Sequence, residues 1–194
     1  MPKLRRASDE LETARLLLKP FAMQDAEQIQ KLFSRWEIVQ YLNASIPWPY
    51  PENGAEHFIH EIALPEAARG ESWFWTLRPK SAPEQIIGVI SLTLKPDGNR
   101  GFWIDPAWQS QGLMTEACDA ATDYWFEVLR QPVLRSPKAV VNEASRRISQ
   151  RQGMRVIWRG EKDYVGGRLP SELWEITAEE WRARKRQKLG EGKK

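Results

Sequence analysis

The sequence predicts a single-domain α/β protein, and three observations support this prediction. Short apolar runs typical of strands alternate along the chain with segments whose apolar residues recur at helical spacing. The chain has 194 residues, which suits one domain with a sizeable core. It is 41% hydrophobic and contains ten tryptophans, which is typical of a folded protein. We expect an N-terminal extension at residues 1–10, the domain at 11–181 and a basic tail at 182–194.

The first half of the chain predicts a strand, two helices and three further strands. The apolar residues Ala26, Ile29 and Phe33 recur at helical spacing. Three prolines within residues 46–51 exclude regular structure between the two helices, because proline donates no backbone hydrogen bond. The predicted elements are a strand at 13–21, helices at 24–36 and 52–68, and strands at 73–78, 85–94 and Arg100–Ile104.

The second half of the chain predicts two helices alternating with strands and a final helix. Gly153 is a typical stop signal for the helix that precedes it. The sequence Thr-Ala-Glu-Glu at 177–180 is a capping-box pattern that opens a helix. The predicted elements are a helix at 111–129, a strand at 135–141, a helix at 142–152, strands at 154–164 and 173–176, and a helix after Thr177.

The segment 103–117 predicts an anion-binding turn. It contains a strand end, a turn with Gly112 and the start of a helix. The first N–H groups of a helix have no partner within it, and the helix dipole is positive there, so both favour an anion such as a pyrophosphate. A plain turn is the alternative interpretation of a single glycine at this position.

A second pattern lies 30 residues after Gly112. Asn142, Ser145 and Ser149 are spaced i, i+3 and i+7, which places them on one face of a helix. Considered alone, Asn142 is explained equally well as a simple helix N-cap. Ser149, considered alone, is explained equally well as a solvated helix position. The distance between the two patterns leaves room for one helix and one strand.

These residues resemble the GNAT superfamily of N-acetyltransferases. The resemblance is carried by QSQGLMTEA at 109–117 and NEASRRISQRQGM at 142–154, with Met114 where the family has a small residue. The segments RLLLKPF at 15–21 and GFWIDP at 101–106 resemble the branch that acetylates the N-terminal residue of ribosomal proteins, alanine among them. The resemblance covers roughly residues 11–180. It implies a mixed, mostly antiparallel sheet of about six to seven strands flanked by helices, with strands four and five splayed.

The resemblance also implies acetyl-CoA as the co-substrate and a role for each motif residue. The pantetheine arm of CoA would lie between the splayed strands like an extra strand. A backbone N–H at Trp103 or Ile104 would donate to the thioester oxygen. Asn142 would bond the pantetheine, with Ser145 on the same helix face, and Ser149 would orient or hydrogen-bond the sulfur. The diphosphate would lie on the backbone amides of four consecutive residues beside Gln109, namely Gln111, Gly112, Leu113 and Met114.

The acceptor side and the general base are less defined by the sequence. Many superfamily members have a glutamate in strand four where this chain has Asn99, so no base is assigned. Asp97 and Asp105 are typical turn residues, and Glu37 and Glu175 lie in no motif. In the family, this region of the chain borders the entrance for the acceptor. An aromatic wall for the acceptor is one interpretation of the aromatic residues here, and core packing is the alternative. The residues are Trp36, Tyr41, Trp48 and Tyr50.

Composition limits the other functional classes. A single cysteine, Cys118, excludes an internal disulfide and fits a reducing, cytoplasmic location. No apolar run approaches the ~20 residues of a membrane span. His57 and His60 have no third ligand at a recognisable spacing, so no metal is expected.

Three hypotheses for the function remain open at this stage. The leading hypothesis is acetyl transfer to a primary amine, either a protein N-terminus or a small molecule. A non-catalytic acyl-CoA sensor is the first alternative. The second alternative is nucleic-acid or ribosome contact through the tail, which carries seven Lys or Arg and one Glu. A solvated helix end is the other interpretation of the same basic residues. Homodimers are common in the family that the chain resembles.

Overall fold

The computed structural model describes residues 9–191, and it contains the predicted α/β arrangement as two antiparallel sheets flanked by helices. Most of the predicted N-terminal extension and the last three residues of the predicted tail lie outside the described residues. The sheets hold five and three strands, and they meet between the strands predicted as the fourth and fifth.

The first sheet contains five strands in the order of the sequence. A turn in which Thr13 N–H donates to Leu16 O at 3.0 Å separates the short β1 from β2, so the predicted first strand is a small hairpin. Residues of β3 alternate between two cores, because successive side chains of a strand point to opposite faces. The strands are β1 (Leu11–Glu12), β2 (Leu16–Pro20), β3 (Ser72–Pro79), β4 (Gly88–Thr93) and β5 (Arg100–Ile104).

The second sheet contains β6 (Val133–Ala139), β7 (Arg155–Tyr164) and β8 (Gly167–Thr177), with β8 in the middle. The sequence predicted only 173–176 of β8. Residues 167–170 of the missing part pair with the exposed end of β7, where Lys162 and Asp163 face solvent. Ser171 and Glu172 are buried and also pair with β6, but both are polar. The missing part therefore carries no hydrophobic alternation to mark it.

Seven helices pack on the two faces of the sheets in the described part of the chain. The predicted helix 24–36 is interrupted near Ser34, whereas the predicted helix 52–68 is continuous through a wider π-helical segment at Phe58–Ala63. A second such segment, Tyr124–Val128, extends the fifth helix. The helices are α1 (Ala26–Phe33), α2 (Trp36–Val39), α3 (Gly54–His57), α4 (Leu64–Arg69), α5 (Leu113–Asp123), α6 (Glu143–Arg151) and α7 (Ala178–Glu191).

The last helix begins as the capping box predicts. Thr177 N–H donates to a Glu180 carboxylate oxygen at 2.8 Å, and Glu180 N–H donates to Thr177 Oγ1 at 3.2 Å. The predicted basic tail starts inside this helix. Arg182 pairs with Glu127 and Lys185 with Asp123, at 2.8 and 2.7 Å, so the start of the basic segment is bound to the π-helical end of α5.

Asn99 holds β5 and β6 together where both strands begin. Asn99 N–H donates to Arg135 O, and Arg135 N–H donates to Asn99 Oδ1, both at 2.8 Å. Asn99 Nδ2 donates to the carbonyls of Thr93 and Lys95. Beyond this contact the two strands belong to different sheets. The residue at the position of the family's glutamate is therefore a structural clamp at the closed end of the split.

Replacing Asn99 with aspartate is expected to lower the free energy of unfolding by about 1–3 kcal/mol. The aspartate keeps the acceptor for Arg135 N–H but loses the amide donor, and its charge faces two carbonyl oxygens. Urea unfolding at pH 7 measures the effect. The exposed Asn43→Asp is the matched control, because Asn43 Oδ1 accepts from Ser45 N–H and aspartate keeps that acceptor. Equal stability of the two variants would contradict the clamp.

Candidate active site

A cavity of about 870 Å³ occupies the split between the two sheets. Three groups of residues line it. One is the end of β5 with the loop into α5, the second is the start of α6, and the third is α2 with the residues that follow it. The split is therefore open to the α5 N-terminus at one side and to α2 at the other, which is the arrangement that the resemblance implies for a donor and an acceptor.

The loop between β5 and α5 forms an uncapped helix N-terminus on the cavity wall. Gly112 is the N-cap residue of α5 and has φ 77°, a left-handed conformation that glycine adopts without strain. It has no side chain to cap the helix. Within residues 9–191, no hydrogen-bond acceptor is found for the N–H groups of Leu113, Met114 and Thr115. Gly112, Leu113, Met114 and Thr115 all line the cavity, so these donors are available to an anion.

Neighbouring side chains hold this loop in position. Gln109 Nε2 donates to Ile104 O at 3.2 Å, and Gln111 Nε2 donates to Ala107 O at 3.3 Å. Gln109 lines the cavity, whereas Gln111 is not among its lining residues. Met114, the departure from the family pattern, is 6% exposed and packs in the core beneath α5. Its bulk is thus accommodated in the core while its backbone remains at the helix terminus.

An arginine from the turn just before β2 reaches the same loop. Arg15 donates from Nε to a Glu116 carboxylate oxygen at 2.8 Å and from Nη1 to Gln111 O at 3.0 Å. Glu116 also accepts from Thr13 Oγ1 and from Arg15 N–H. Partial burial raises the pKa of Glu116, but these hydrogen bonds outweigh it and leave the pKa below its ordinary value. The network fixes the first turn of α5 and places the Arg15 guanidinium, paired with Glu116, beside Gly112, a contact that sequence reasoning missed.

The free edge of β5 supplies a further donor. Asp105 N–H donates to Ile87 O and Thr93 N–H donates to Asn99 O, so the odd-numbered residues of β5 bond to β4. Hydrogen-bonded and non-hydrogen-bonded pairs alternate in an antiparallel ladder. The N–H of Trp103 therefore points to β4, and the N–H of Ile104 points into the split. Of the two predicted oxyanion donors, the register favours Ile104.

The start of α6 forms the opposite wall of the cavity. Asn142 Oδ1 accepts from Ser145 N–H at 3.2 Å, so Asn142 is an N-cap, and it also lines the cavity together with Ser145. Ser149 lies one turn further along the same helix and is fully buried. It is not among the lining residues, and its Oγ has no hydrogen-bond partner among the described residues. Arg147 and Arg151 line the outer part of this wall.

The predicted aromatic cluster is divided between the cavity and its surroundings. Tyr41 lines the cavity. Trp36 and Trp48 are about two-fifths exposed and pack against each other at 5.4 Å between ring centroids, away from the lining residues. Tyr50 packs on Phe33 at 4.8 Å, and burial raises the pKa of Tyr50 to about 12. The acceptor role of these aromatic residues stays a prediction, and the geometry favours Tyr41 for it.

Carboxylates near the cavity differ in whether they are already paired. Asp105 pairs with Arg35 and caps the turn at Pro106–Trp108, and Asp97 pairs with Arg135. Glu175 pairs with Arg135 and Arg155. Glu37 lines the cavity from α2, and no ion pair to it is formed within residues 9–191. No sequence motif marks Glu37, because its position depends on how α2 folds against the split.

Two other classes of site find no support in the described residues. No group of three or more His, Cys, Asp or Glu residues between 9 and 191 is arranged to hold a metal ion. His60 lies on the surface and contacts Glu61. None of the helices in this part of the chain combines the length and apolar character needed to cross a membrane.

Comparison with known proteins places the chain among acetyltransferases. The family model of the acetyltransferase (GNAT) domain matches residues 15–155. RimL, a ribosomal L7/L12 α-N-protein acetyltransferase solved with coenzyme A, superposes with a TM-score of 0.74 at 16% identity, over 87% of this chain and 98% of its own. A ribosomal-protein-S5-alanine acetyltransferase from Vibrio fischeri gives a TM-score of 0.75 at 16% identity, over 90% and 99%. The microcin C7 self-immunity acetyltransferase MccE, solved with acetyl-CoA and AMP, gives 0.70 at 15%, over 84% and 93%.

The family match and the fold agree with each other. The matched segment contains both motifs of the cavity wall, the uncapped loop at Gly112 and the helix that starts at Asn142. The superpositions show the same fold over nearly the whole length of the related chains. The protein belongs to the GNAT family of acetyltransferases.

Proposed function

We propose that this protein transfers an acetyl group from acetyl-CoA to a primary amine, by direct attack of the amine within a ternary complex. One observation carries the proposal. The uncapped N-terminus of α5 and the unpaired edge of β5 face a single cavity. The first suits a diphosphate, and the second suits an extended pantetheine arm with a thioester at its end. The acceptor is a protein N-terminal α-amine, as the name of one structural neighbour, an α-N-protein acetyltransferase, states for that protein, or a small amine.

Each wall residue has a role in this proposal. The diphosphate lies on the N–H groups of residues 112–115, beside Gln109 and with Arg15 nearby. Asn142 bonds the pantetheine through its Nδ2, because its Oδ1 already caps α6. The N–H of Ile104 donates to the thioester oxygen, where negative charge builds as the amine attacks. Tyr41 and Glu37 lie on the acceptor side, and the Glu37 carboxylate holds the incoming ammonium and takes its proton.

Direct attack agrees with the position of the only cysteine in the sequence. Cys118 is fully buried on the core-facing side of α5, and burial raises the pKa of its thiol. A buried thiol of raised pKa is a poor nucleophile, since the thiolate is the reactive form. An acetyl-cysteine intermediate therefore has no support, and the amine is the group that attacks the thioester.

The role of Ser149 beside the sulfur rests on its buried Oγ, which has no partner among the described residues, although Ser149 is not among the residues that line the cavity. A buried hydroxyl without a partner costs about 1–3 kcal/mol, so a ligand that supplies the partner gains that much. Ser149→Ala is expected to lower kcat about tenfold without abolishing it, because one neutral hydrogen bond contributes roughly 0.5–1.5 kcal/mol. Steady-state rates of the variant measure this. A kcat equal to that of the wild type would contradict a role of Ser149 in catalysis.

The experiment that tests the proposed function follows CoA thiol release with a panel of N-terminal peptides and small amines. Release with one class, and initial-rate lines that intersect when both substrates are varied, support a ternary complex. Parallel lines would indicate a covalent intermediate and contradict direct attack. Binding of acetyl-CoA without release from any acceptor would favour the alternative of an acyl-CoA sensor. A ribosome- or RNA-binding role has weaker support, because Arg182 and Lys185 are already paired.

A further inference from the structure

Lys138 of β6 is a buried cation directly behind the cavity wall. Its side chain is 4% exposed. Its Nζ donates to Ser145 Oγ at 2.8 Å and lies 4.8 Å from the centroid of the Phe102 ring. Both Ser145 and Phe102 line the cavity. The ammonium group is thus separated from the space of the proposed pantetheine arm by one hydroxyl group and one aromatic ring.

No carboxylate neutralises Lys138 among the described residues. The nearest acidic residue in the ladder is Glu172, its cross-strand partner on β8, whose carboxylate binds Arg146 and Arg159 instead. The charged group that faces Lys138 from β5 is another cation, Arg100, and α5 presents the thiol of Cys118. Burial, followed by the charge of Arg100, lowers the pKa of Lys138 to about 7, against a smaller opposite effect of Cys118.

This arrangement lowers the stability of the folded protein. A buried ammonium without a counter-ion opposes folding, and an apolar side chain of similar length would fill the same space at lower cost. A lysine that loses its proton near neutral pH is, however, a suitable acid for a leaving thiolate, because a catalytic acid is most effective when its pKa lies near the operating pH.

We propose that Lys138 supplies the proton for the departing CoA thiolate, relayed through the hydroxyl of Ser145. The inference rests on the proposed function. Ser145 touches the ligand and is the catalytic residue of the pair, and Lys138 acts through it. Ser145 lines the cavity, whereas Ser149, one turn further along the same face of α6, is fully buried and outside the set of lining residues. Ser145 is therefore the hydroxyl that the sulfur meets first, and it has a proton source behind it.

The transfer balances without any further reactant. The amine nitrogen bonds to the acetyl carbon, and the carbon–sulfur bond breaks with its electron pair on sulfur. The sulfur takes the proton of the Ser145 hydroxyl, and Ser145 Oγ takes a proton from Lys138 Nζ, which becomes neutral. The proton lost by the amine leaves through Glu37 or water. Lys138 regains a proton from solvent when the products dissociate.

The pH dependence of kcat tests the relay directly, because only protonated Lys138 can supply the proton. CoA thiol release is followed as the pH is raised, with a responsive acceptor and with the wild type, Lys138→Met, Ser145→Ala and the exposed Lys162→Met. The advantage in kcat of the wild type over Lys138→Met and over Ser145→Ala should shrink as the pH rises through about 7, because Lys138 then becomes neutral. Lys162→Met should follow the wild type at every pH.

Kinetics and stability separate this role from a structural one. Lys138→Met is expected to lower kcat about 10²-fold with a KM for acetyl-CoA within a few-fold of the wild type. Its unfolding midpoint should equal or exceed that of the wild type, because a buried unpaired cation is removed. A ratio of the wild-type kcat to the Lys138→Met kcat that stays constant with pH would overturn the relay, and so would a kcat that falls only in step with stability. Failure of the wild type to bind CoA would instead overturn the proposed function.

Discussion

Replacing Ile104 with proline is expected to lower kcat about 10²–10³-fold and to leave the affinity for acetyl-CoA within a few-fold. Proline removes the N–H that the ladder register directs into the split. That N–H bonds no other strand, so the sheet loses no hydrogen bond, and proline is tolerated on such an edge. The donor matters most in the transition state, where the thioester oxygen gains negative charge. Steady-state kinetics with a responsive acceptor measure the effect.

Ile104→Ala is the matched control for this prediction. Alanine removes more of the side chain than proline does but keeps the backbone N–H. A kcat near that of the wild type for alanine, with a large loss for proline, assigns the effect to the N–H. Equal losses in the two variants would assign it to the side chain and remove Ile104 N–H from the mechanism. Circular dichroism of the same samples shows whether the proline variant is folded, so a loss of kcat that is caused by unfolding is recognised.

Replacing Gly112 with aspartate is expected to weaken acetyl-CoA binding about 100-fold, or about 2.7 kcal/mol. The new carboxylate would stand at the helix N-terminus where the diphosphate is proposed to bind, and like charges would repel. The fold should persist. Aspartate is a favourable residue near a helix N-terminus and tolerates left-handed backbone, and an added Cβ would lie 3.5 Å from Arg15 Nη2, an ordinary contact. Calorimetric titration with acetyl-CoA measures the loss.

Gly112→Asn provides the control, because asparagine has nearly the same shape as aspartate but no charge. Both variants carry the same backbone strain and the same added volume. Binding retained by the asparagine variant and lost by the aspartate variant would identify an anion at Gly112. If both variants bound acetyl-CoA with the wild-type affinity, the diphosphate would have to lie elsewhere in the cavity.

The fold was predictable where local patterns and packing agree. Arg100–Ile104 forms β5 as predicted, and the helix ending before Gly153 and the capping box at Thr177 are confirmed. The predictions failed where no apolar pattern exists. The outer part of β8 is exposed and paired only with β7, and the short β1 is formed by a turn at Thr13 rather than by a hydrophobic run.

Some residues of the candidate site could be predicted from the sequence and others could not. The loop at Gly112 and the helix start at Asn142 were predictable, because a helix terminus and its cap are written in consecutive residues. Glu37, Arg15 and Lys138 were not predictable. Each reaches the cavity or its wall from a distant element, so their relevance depends on tertiary packing and not on spacing in the sequence. Asn99 illustrates the converse case, since a position tied to catalysis by resemblance is a structural clamp here.

Calorimetric titration of the wild-type protein with acetyl-CoA tests the central claim most directly. The claim is that the cavity between the two sheets, with the α5 N-terminus on its wall, holds the acyl donor. The predicted result is binding of one acetyl-CoA per chain, with an affinity that falls as salt is raised because the phosphates are held partly by charge. The absence of both binding heat and thermal stabilisation at millimolar acetyl-CoA would contradict the account.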